Sequence, residues 1–238
     1  MNPSLSIIIP TLNEAETLKQ TLDVVRCHTE ILEVIVVDGG SSDATREVLE
    51  TYDDVRVFDS IRGRGTQMHV GATAAAGSVL WFLHADTIPS ADSIGQMLNA
   101  LRDPKVIGGN FTICFDGDSR AAQFMTWLYP NLRKIGLFYG DSAIFVRREV
   151  YEKAGGFRAL DLFEDVDLIK RIKRYGQIVH LSAKVVTSSR RFERHSFILT
   201  FLRWSIFQGL YWIGVSPNLL ARLYPVRRGQ SNTRYDQS

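Results

Sequence analysis

Cysteine is scarce in this chain. Cys27 and Cys114 are the only two among 238 residues, and neither stands at metal-ligand spacing from another cysteine or a histidine. Two free thiols point to a reducing compartment. The N-terminus lacks a basic stretch and its apolar run covers only residues 5–9, so no signal peptide is expected. The cytosol, or the cytosolic face of a membrane, is the expected location. No G-x-G-x-x-G follows that first apolar run, which disfavours a dinucleotide-dependent dehydrogenase. No internal repeat or low-complexity linker divides the chain, and 45% hydrophobic content suits one sizeable domain, with or without a small appendage. Lysine is missing from residue 190 onward. That segment has eight arginines against Glu193 and Asp236, a net +6, while the rest has 20 basic and 24 acidic residues, a net −4. A basic tail suits an anionic surface, such as phospholipid headgroups or a phosphorylated substrate. A solvated face of arginine is the plain alternative.

What is present first is an alternation of strand and helix. Residues 5–9 are apolar and β-branched, which predicts a buried strand that Pro10 ends. Leu18, Leu22 and Val25 recur at helical spacing, so a helix is expected from Glu14 to about His28. Residues 34–37 predict a second strand, Gly39-Gly40 a turn, and Ser41, Ser42 and Asp43 offer helix caps. A third strand at 55–58, a helix from 63–65 through Ala76, a fourth strand at 79–83 and a helix capped by Ser90 and running to Leu101 follow. This βαβαβαβ order implies a mostly parallel sheet with right-handed crossovers. The second half reads less regularly: strands at 108–115 and 143–146, a helix near 120–134, and a helix over 164–175 with Val166, Ile169 and Ile172 inward.

The polar residues gather where strands end. Thr11, Asn13 and Glu14 follow the first strand, where backbone N–H groups and short side chains can meet a base or ribose. Taken alone, an ordinary helix start with Thr11 as cap and Glu14 in the capping-box position explains them better. Asp38, beside the Gly-Gly turn, can accept from a base or ribose hydroxyl, or can stabilise its own turn. His84-Ala85-Asp86 follows the most apolar strand. On an extended segment His84 and Asp86 share a side and can grip one cation, with Asp86 the hard oxygen donor suited to Mg²⁺ or Mn²⁺. Glu164-Asp165 opens a helix, where acids suit the dipole and where one carboxylate can also act as a general base. Arg62 and Arg64 flank Gly63 and match a diphosphate. Asp141 can contact a bound substrate, or can be an ordinary turn residue. Arg190, Arg191 and His195 can reach phosphate groups, or can lie in a polar loop.

Six stretches in order, SIIIPTLNE, VIVVDGGSSDAT, GRGTQMHVG, WFLHADT, RREVYEKAGGF and FEDVDLIKRIKRYG, resemble the family 2 glycosyltransferases with the GT-A fold. The resemblance spans residues 4 to about 181. It is nearest to the small bacterial enzymes found beside radical-SAM and selenoprotein-associated genes. It implies an α/β, Rossmann-like, mostly parallel central sheet flanked by helices. It also implies a nucleotide-diphospho-sugar donor of UDP or GDP type, an acceptor hydroxyl, a divalent cation and inversion at the anomeric carbon. Carried over, Pro10, Thr11, Asn13, Glu14 and Asp38 would hold the nucleoside, Arg64 would sit in the nucleotide pocket, Asp86 would bind the metal and Asp165 would be the base beside Glu164. The domain would cover 1–189, with a nucleotide half (1–116) and an acceptor half (117–189), followed by a basic and apolar extension (190–238). Three departures stand out. Gly39 replaces a frequent second Asp. H-A-D replaces D-x-D. TFLRW at 200–204 lacks the Gln of processive members, which argues for a single transfer.

Residues 197–215, FILTFLRWSIFQGLYWIGV, approach the length of a membrane span with Arg203 in the middle, an expensive placement of about 2.5–3.5 kcal/mol. An interfacial helix, a core or homodimer helix and a true span are the competing readings. A helix packed on protein or lying on the membrane is favoured, and with it a lipid-linked or apolar acceptor. Nucleic acid is not an expected partner. A nucleotidyltransferase, disfavoured by the Pro10-Thr11-Leu12-Asn13 turn, and a non-catalytic sugar-nucleotide sensor are the other functions weighed.

Overall fold

The structure, a computed structural model, describes residues 3–134, 143–160, 162–189 and 197–223. The chain opens with β1 (Leu5–Thr11), α1 (Ala15–Val25), β2 (Ile31–Asp38), α2 (Thr45–Leu49), β3 (Val55–Asp59), α3 (Arg64–Ala74) and β4 (Val79–Phe82). It continues with β5 (Thr87–Pro89), α4 (Ser93–Ala100), β6 (Val106–Phe115), α5 (Arg120–Lys134), β7 (Phe145–Arg147), α6 (Arg148–Lys153), α7 (Glu164–Ile172) and β8 (Gln177–Thr187). Two helices close the described chain, α8 (Phe197–Trp212) and α9 (Pro217–Leu223).

The strands form an eight-stranded sheet in the order β3-β2-β1-β4-β7-β6-β8-β5. β3, β2, β1 and β4 are mutually parallel, so their carboxyl ends share one edge. β7 runs antiparallel between β4 and β6, β8 is parallel to β6, and β5 closes the far edge antiparallel to β8. β1, the second half of β2 and β4 form because their residues are apolar on both faces, whereas β3 at the edge buries only Val55. Ile7, Ile9, Val34, Val36 and Trp81 turn to the layer of α1, α2, α4 and α5, while Ile8, Ile35, Val37, Leu80 and Phe82 turn to α3, α6 and α7. Each fully buried aliphatic side chain contributes about 1.5–3 kcal/mol, so β1, with Ile7, Ile8 and Ile9 all fully buried, is the strand both layers depend on.

Several elements differ from expectation. α1 begins at Ala15, and Glu14 occupies its N-cap without a side-chain cap bond. Ser90 does not cap α4: its hydroxyl donates to the Asp92 carboxylate (2.6 Å) and accepts from the Lys184 N–H (3.1 Å), tying the helix approach to β8. α7 stops at Ile172, and its inward residues are Leu168, Ile169 and Ile172, with Val166 only half-buried. β5 and β8 lie in stretches without a continuous apolar run. In β8 exposed and buried residues alternate from Ser182 to Thr187, so its polar half masks the strand.

α3 approaches the sheet at Gly71, where a Cβ would stand 2.5 Å from Ile8 Cγ2 and 3.1 Å from Val37 Cγ2. We expect Gly71→Ala to push α3 off β1 and destabilise the fold by about 1–3 kcal/mol, measured by urea denaturation.

Candidate functional site

The first two turns after the sheet are sewn together. Asn13, held at φ 57°, donates its N–H to the Ser41 hydroxyl oxygen (2.9 Å), and its Oδ1 accepts from the Ser42 N–H (2.7 Å). The Glu14 N–H donates to Thr45 Oγ1 (3.0 Å), and Asp43 accepts from Ala15 and Thr45. Burial alone would raise the Asp43 pKa, but the Thr45 hydroxyl, the Thr45 N–H and the Ala15 N–H outweigh it and hold the carboxyl below its ordinary value of 3.8. A lowered carboxyl stabilises the fold above its unfolded pKa and loses that contribution as pH falls through the folded one, so this seam is intact at neutral pH and loosens only in acid.

Asp38 is fully buried at the end of β2, level with Thr11. Its carboxylate accepts from the Ser41 N–H and hydroxyl and from Arg46 (3.2 Å), which also pairs with Asp59. Pro10 and Thr11 complete β1, and the Thr11 hydroxyl oxygen is buried without a hydrogen-bond partner. A buried orphan hydroxyl costs about 1–3 kcal/mol, and it lies on the edge where the strand ends converge.

Gln67, which the sequence reading left unassigned, anchors that edge. Its amide donates to the carbonyls of Thr11 (2.8 Å) and Val37 (2.9 Å). It also accounts for Gly39: a Cβ there would stand 3.0 Å from the Gln67 amide, so the space of the frequent second Asp is already filled. A buried polar residue on the sheet-facing side of α3, within GRGTQMHVG, was the signal available for it.

Arg64 opens α3 and forms an ion pair with Glu164, which is buried at the start of α7. Gly65 permits this closeness, since a Cβ there would meet the Arg158 carbonyl at 2.9 Å and Glu164 Cβ at 3.2 Å. Glu164 and Asp165 therefore come to the edge that holds Thr11 and Asp38. Asp165 is buried, and its Oδ1 accepts from the Val166 N–H (2.8 Å). Phe163 precedes them in the left-handed region at φ 61°, a strained setting for a bulky side chain. Its ring stacks on Tyr211 of α8, with centroids 4.6 Å apart and planes at 23°. Burial first, then the charges of Asp167 and Asp165, raise the Tyr211 pKa, so its hydroxyl stays neutral beside the acids.

Asp86 follows β4 on the same edge, but not on an extended segment. β4 ends at Phe82, and residues 84–87 turn back with the Thr87 N–H on the His84 carbonyl (3.1 Å). The expectation that His84 and Asp86 share one side of a strand is therefore corrected: strand alternation does not operate in a turn. Asp86 Oδ1 accepts only long bonds, from the hydroxyls of Thr87 (3.3 Å) and Thr187 (3.4 Å). Among the described residues no group of three or more His, Cys, Asp or Glu gathers as a metal site. One hard oxygen donor with slack bonds fits a cation that completes its shell from phosphate and water, the usual habit of Mg²⁺.

On α8, Gln208 is 6% exposed, and neither atom of its amide has a hydrogen-bond partner. It lies one helical turn before Tyr211, which puts both on one face. The sequence gives no periodic signal for this face, because the segment is apolar nearly all round. Asp141, Arg190, Arg191 and His195 lie outside the described residues.

The family model described as Glycosyl transferase family 2 matches residues 6–155. Glycosyltransferase AglE of Haloferax volcanii is 28% identical over 170 residues, covering 65% of this chain and 56% of that protein. The chain spans about half the length, 50–56%, of curated relatives it matches. The mannosyltransferase PcManGT from Pyrobaculum calidifontis, solved with GDP-Man and Mn²⁺, superposes with a TM-score of 0.67 at 23% identity, covering 94% of this chain and 70% of that one. Glucosyl-3-phosphoglycerate synthase from Mycobacterium tuberculosis, solved with Mn²⁺ and uridine-diphosphate-glucose, superposes at 0.58 with 20% identity, covering 76% and 70%. Both likenesses concern the fold.

We expect Arg64→Ala to strand the buried Glu164 carboxylate and cost about 1–3 kcal/mol, discounted because Arg64 is partly exposed. The double variant with Glu164→Gln should recover part of that loss in thermal denaturation.

Proposed function

Because this chain belongs to glycosyl transferase family 2, whose model covers residues 6–155, we propose that it moves one sugar from a nucleotide-diphospho-sugar of UDP or GDP type to an acceptor hydroxyl, with inversion. What supports this reading is that Thr11 and Asp38 end paired parallel strands, Asp86 follows the parallel strand β4, and Arg64 at the start of α3 pairs with Glu164, at the edge where open α/β sheets bind nucleotides. Thr11, Asn13, Glu14 and Asp38 take the nucleoside on the sewn turns, where the orphan Thr11 hydroxyl lacks a partner. Asp86, together with the donor's diphosphate oxygens, would hold a Mn²⁺ or Mg²⁺ ion, which neutralises charge on departing phosphates when bound. Asp165 accepts the proton of the acceptor hydroxyl. The acceptor oxygen then bonds to the sugar C1 from the face opposite the diphosphate, the C1–O bond breaks, and the nucleoside diphosphate leaves with its electron pair. Glu164, paired with Arg64, fixes the start of α7 and so the direction of Asp165.

The wall formed by α8 makes the acceptor side partly apolar, which suits an apolar or lipid-linked acceptor. In this reading the orphan amide of Gln208 is reserved for a substrate hydroxyl. The division into 1–189 and 190–238, and the place among enzymes encoded beside radical-SAM genes, belong to the same proposal.

Release of nucleoside diphosphate from a panel of UDP- and GDP-sugars, with and without Mn²⁺, tests the reaction. Asp165→Asn should lower kcat by about 10²–10⁴-fold with little change in nucleotide affinity. Turnover at the wild-type rate in that variant would remove Asp165 as the base. No release from any donor would leave a sugar-nucleotide sensor as the function. Gln208→Met should raise the thermal midpoint, since a buried unsatisfied amide costs about 1–3 kcal/mol, while lowering kcat/KM. A rise in stability with unchanged kcat/KM would take Gln208 out of the site.

A further inference from the structure

α8 has two unlike faces. At about 100° per residue, Leu202, Ile206 and Ile213 fall within an arc of about 40°, and Tyr211 and Gln208 lie on the opposite side. The inner face is buried over Phe163 through Tyr211. The outer face is aliphatic and uncovered. α8 ends at Gly214, at φ 93°, with the Val215 N–H on the Leu210 carbonyl and the Gly214 N–H on the Tyr211 carbonyl (3.0 Å each), a Schellman close. Ser216 and Pro217 then start α9, where Leu219 and Leu223 are exposed and Leu220 is buried. Leu202, Ile206, Ile213, Leu219 and Leu223 are 50–78% exposed, an unusual density of bare aliphatics for so short a stretch.

We propose that the outer face of α8 and α9 is a docking surface for an anionic phospholipid membrane. Charge decides between occupants. Residues 197–223 contain Arg203 and Arg222, both exposed, and no acidic residue. The whole segment from 190 has a net +6. A second copy of this chain on a two-fold axis would bring one net-positive segment against another. Lipid headgroups bring the opposite charge, and the acyl boundary takes the aliphatics. The helix lies along the surface and does not cross it: no helix among the described residues is long and apolar enough to span.

The consequence for substrate class rests on the glycosyltransferase reading. The face opposite the aliphatic stripe sits on Phe163, next to Glu164 and Asp165. Docking therefore brings those acids close to the headgroup layer, where the acceptor is a hydroxyl carried by a membrane lipid.

Flotation of the full chain with phosphatidylcholine vesicles, with and without phosphatidylglycerol, tests the surface in the absence of any donor. Binding is expected only with phosphatidylglycerol, and it should weaken as salt rises. The triple variant Leu202→Ser, Ile206→Ser, Ile213→Ser should lower partitioning by about tenfold or more, and Arg203→Gln and Arg222→Gln by about fivefold each. Circular dichroism confirms that the variants are folded, and the two arginine variants leave the apolar stripe intact should the triple variant fail to fold. No binding to anionic vesicles overturns the proposal, as does undiminished binding by the folded variants. So does a wild-type dimer, seen by sedimentation, that the triple variant dissociates without any vesicle binding. Nucleoside diphosphate release from soluble donor is read separately. Its loss with vesicle binding intact would strike the sugar-transfer reading alone, and vesicle binding lost with release intact would strike the docking surface alone.

Discussion

The two bonds from the Gln67 amide to the carbonyls of Thr11 and Val37 set the geometry on which the site depends. Parallel strands leave their last carbonyls facing outward at the sheet edge, and a buried carbonyl without a donor is costly. One side chain from α3 satisfies a carbonyl on each of two neighbouring strands. It thereby ties α3 to the ends of β1 and β2, where the Gly39 N–H also donates to the Thr11 carbonyl (2.9 Å). Arg64 at the start of α3 in turn pairs with Glu164. A chain of polar contacts thus runs from the sheet edge to the start of α7.

Polar contacts position the acids, and a ring contact holds their backbone. Phe163 adopts a left-handed conformation that disfavours a large side chain, at a cost of about 1–3 kcal/mol, and its stack on Tyr211 offsets part of that. The sewn turns after β1 and β2 use a similar device, with Asn13 in the left-handed region and its amide on the opposite turn. Asn13 and Phe163, two of the three non-glycine residues at positive φ among the described residues, stand in turns that follow or face the carboxyl ends of the strands.

Much of this was legible in the sequence, for physical reasons. β1, β2 and β4 are buried on both faces, so each reads as an unbroken apolar run with polar residues at its end. That is why Thr11, Asp38 and Asp86 could be placed on one edge. β8 was missed because its faces differ and its pairing with β6 joins residues some seventy positions apart, as in Asn110 with His180. Arg64 was read toward a diphosphate, while the partner it meets, Glu164, lies 100 residues away. The relation of His84 to Asp86 was misjudged because strand alternation was carried over residues 84–86, past the end of β4 at Phe82. Gln67 escaped notice since its role is defined by two carbonyls, which leave no mark on residue identity.

The Tyr211 stack has a consequence for how the protein is made. The sheet and its first seven helices draw on residues that leave the ribosome early, and domains fold from the N-terminal side during synthesis. The ring that braces Phe163 emerges only after Glu164, Asp165 and β8 are complete. A nascent chain halted before α8 therefore has its sheet but lacks the brace on the start of α7, which is added only once α8 has been made.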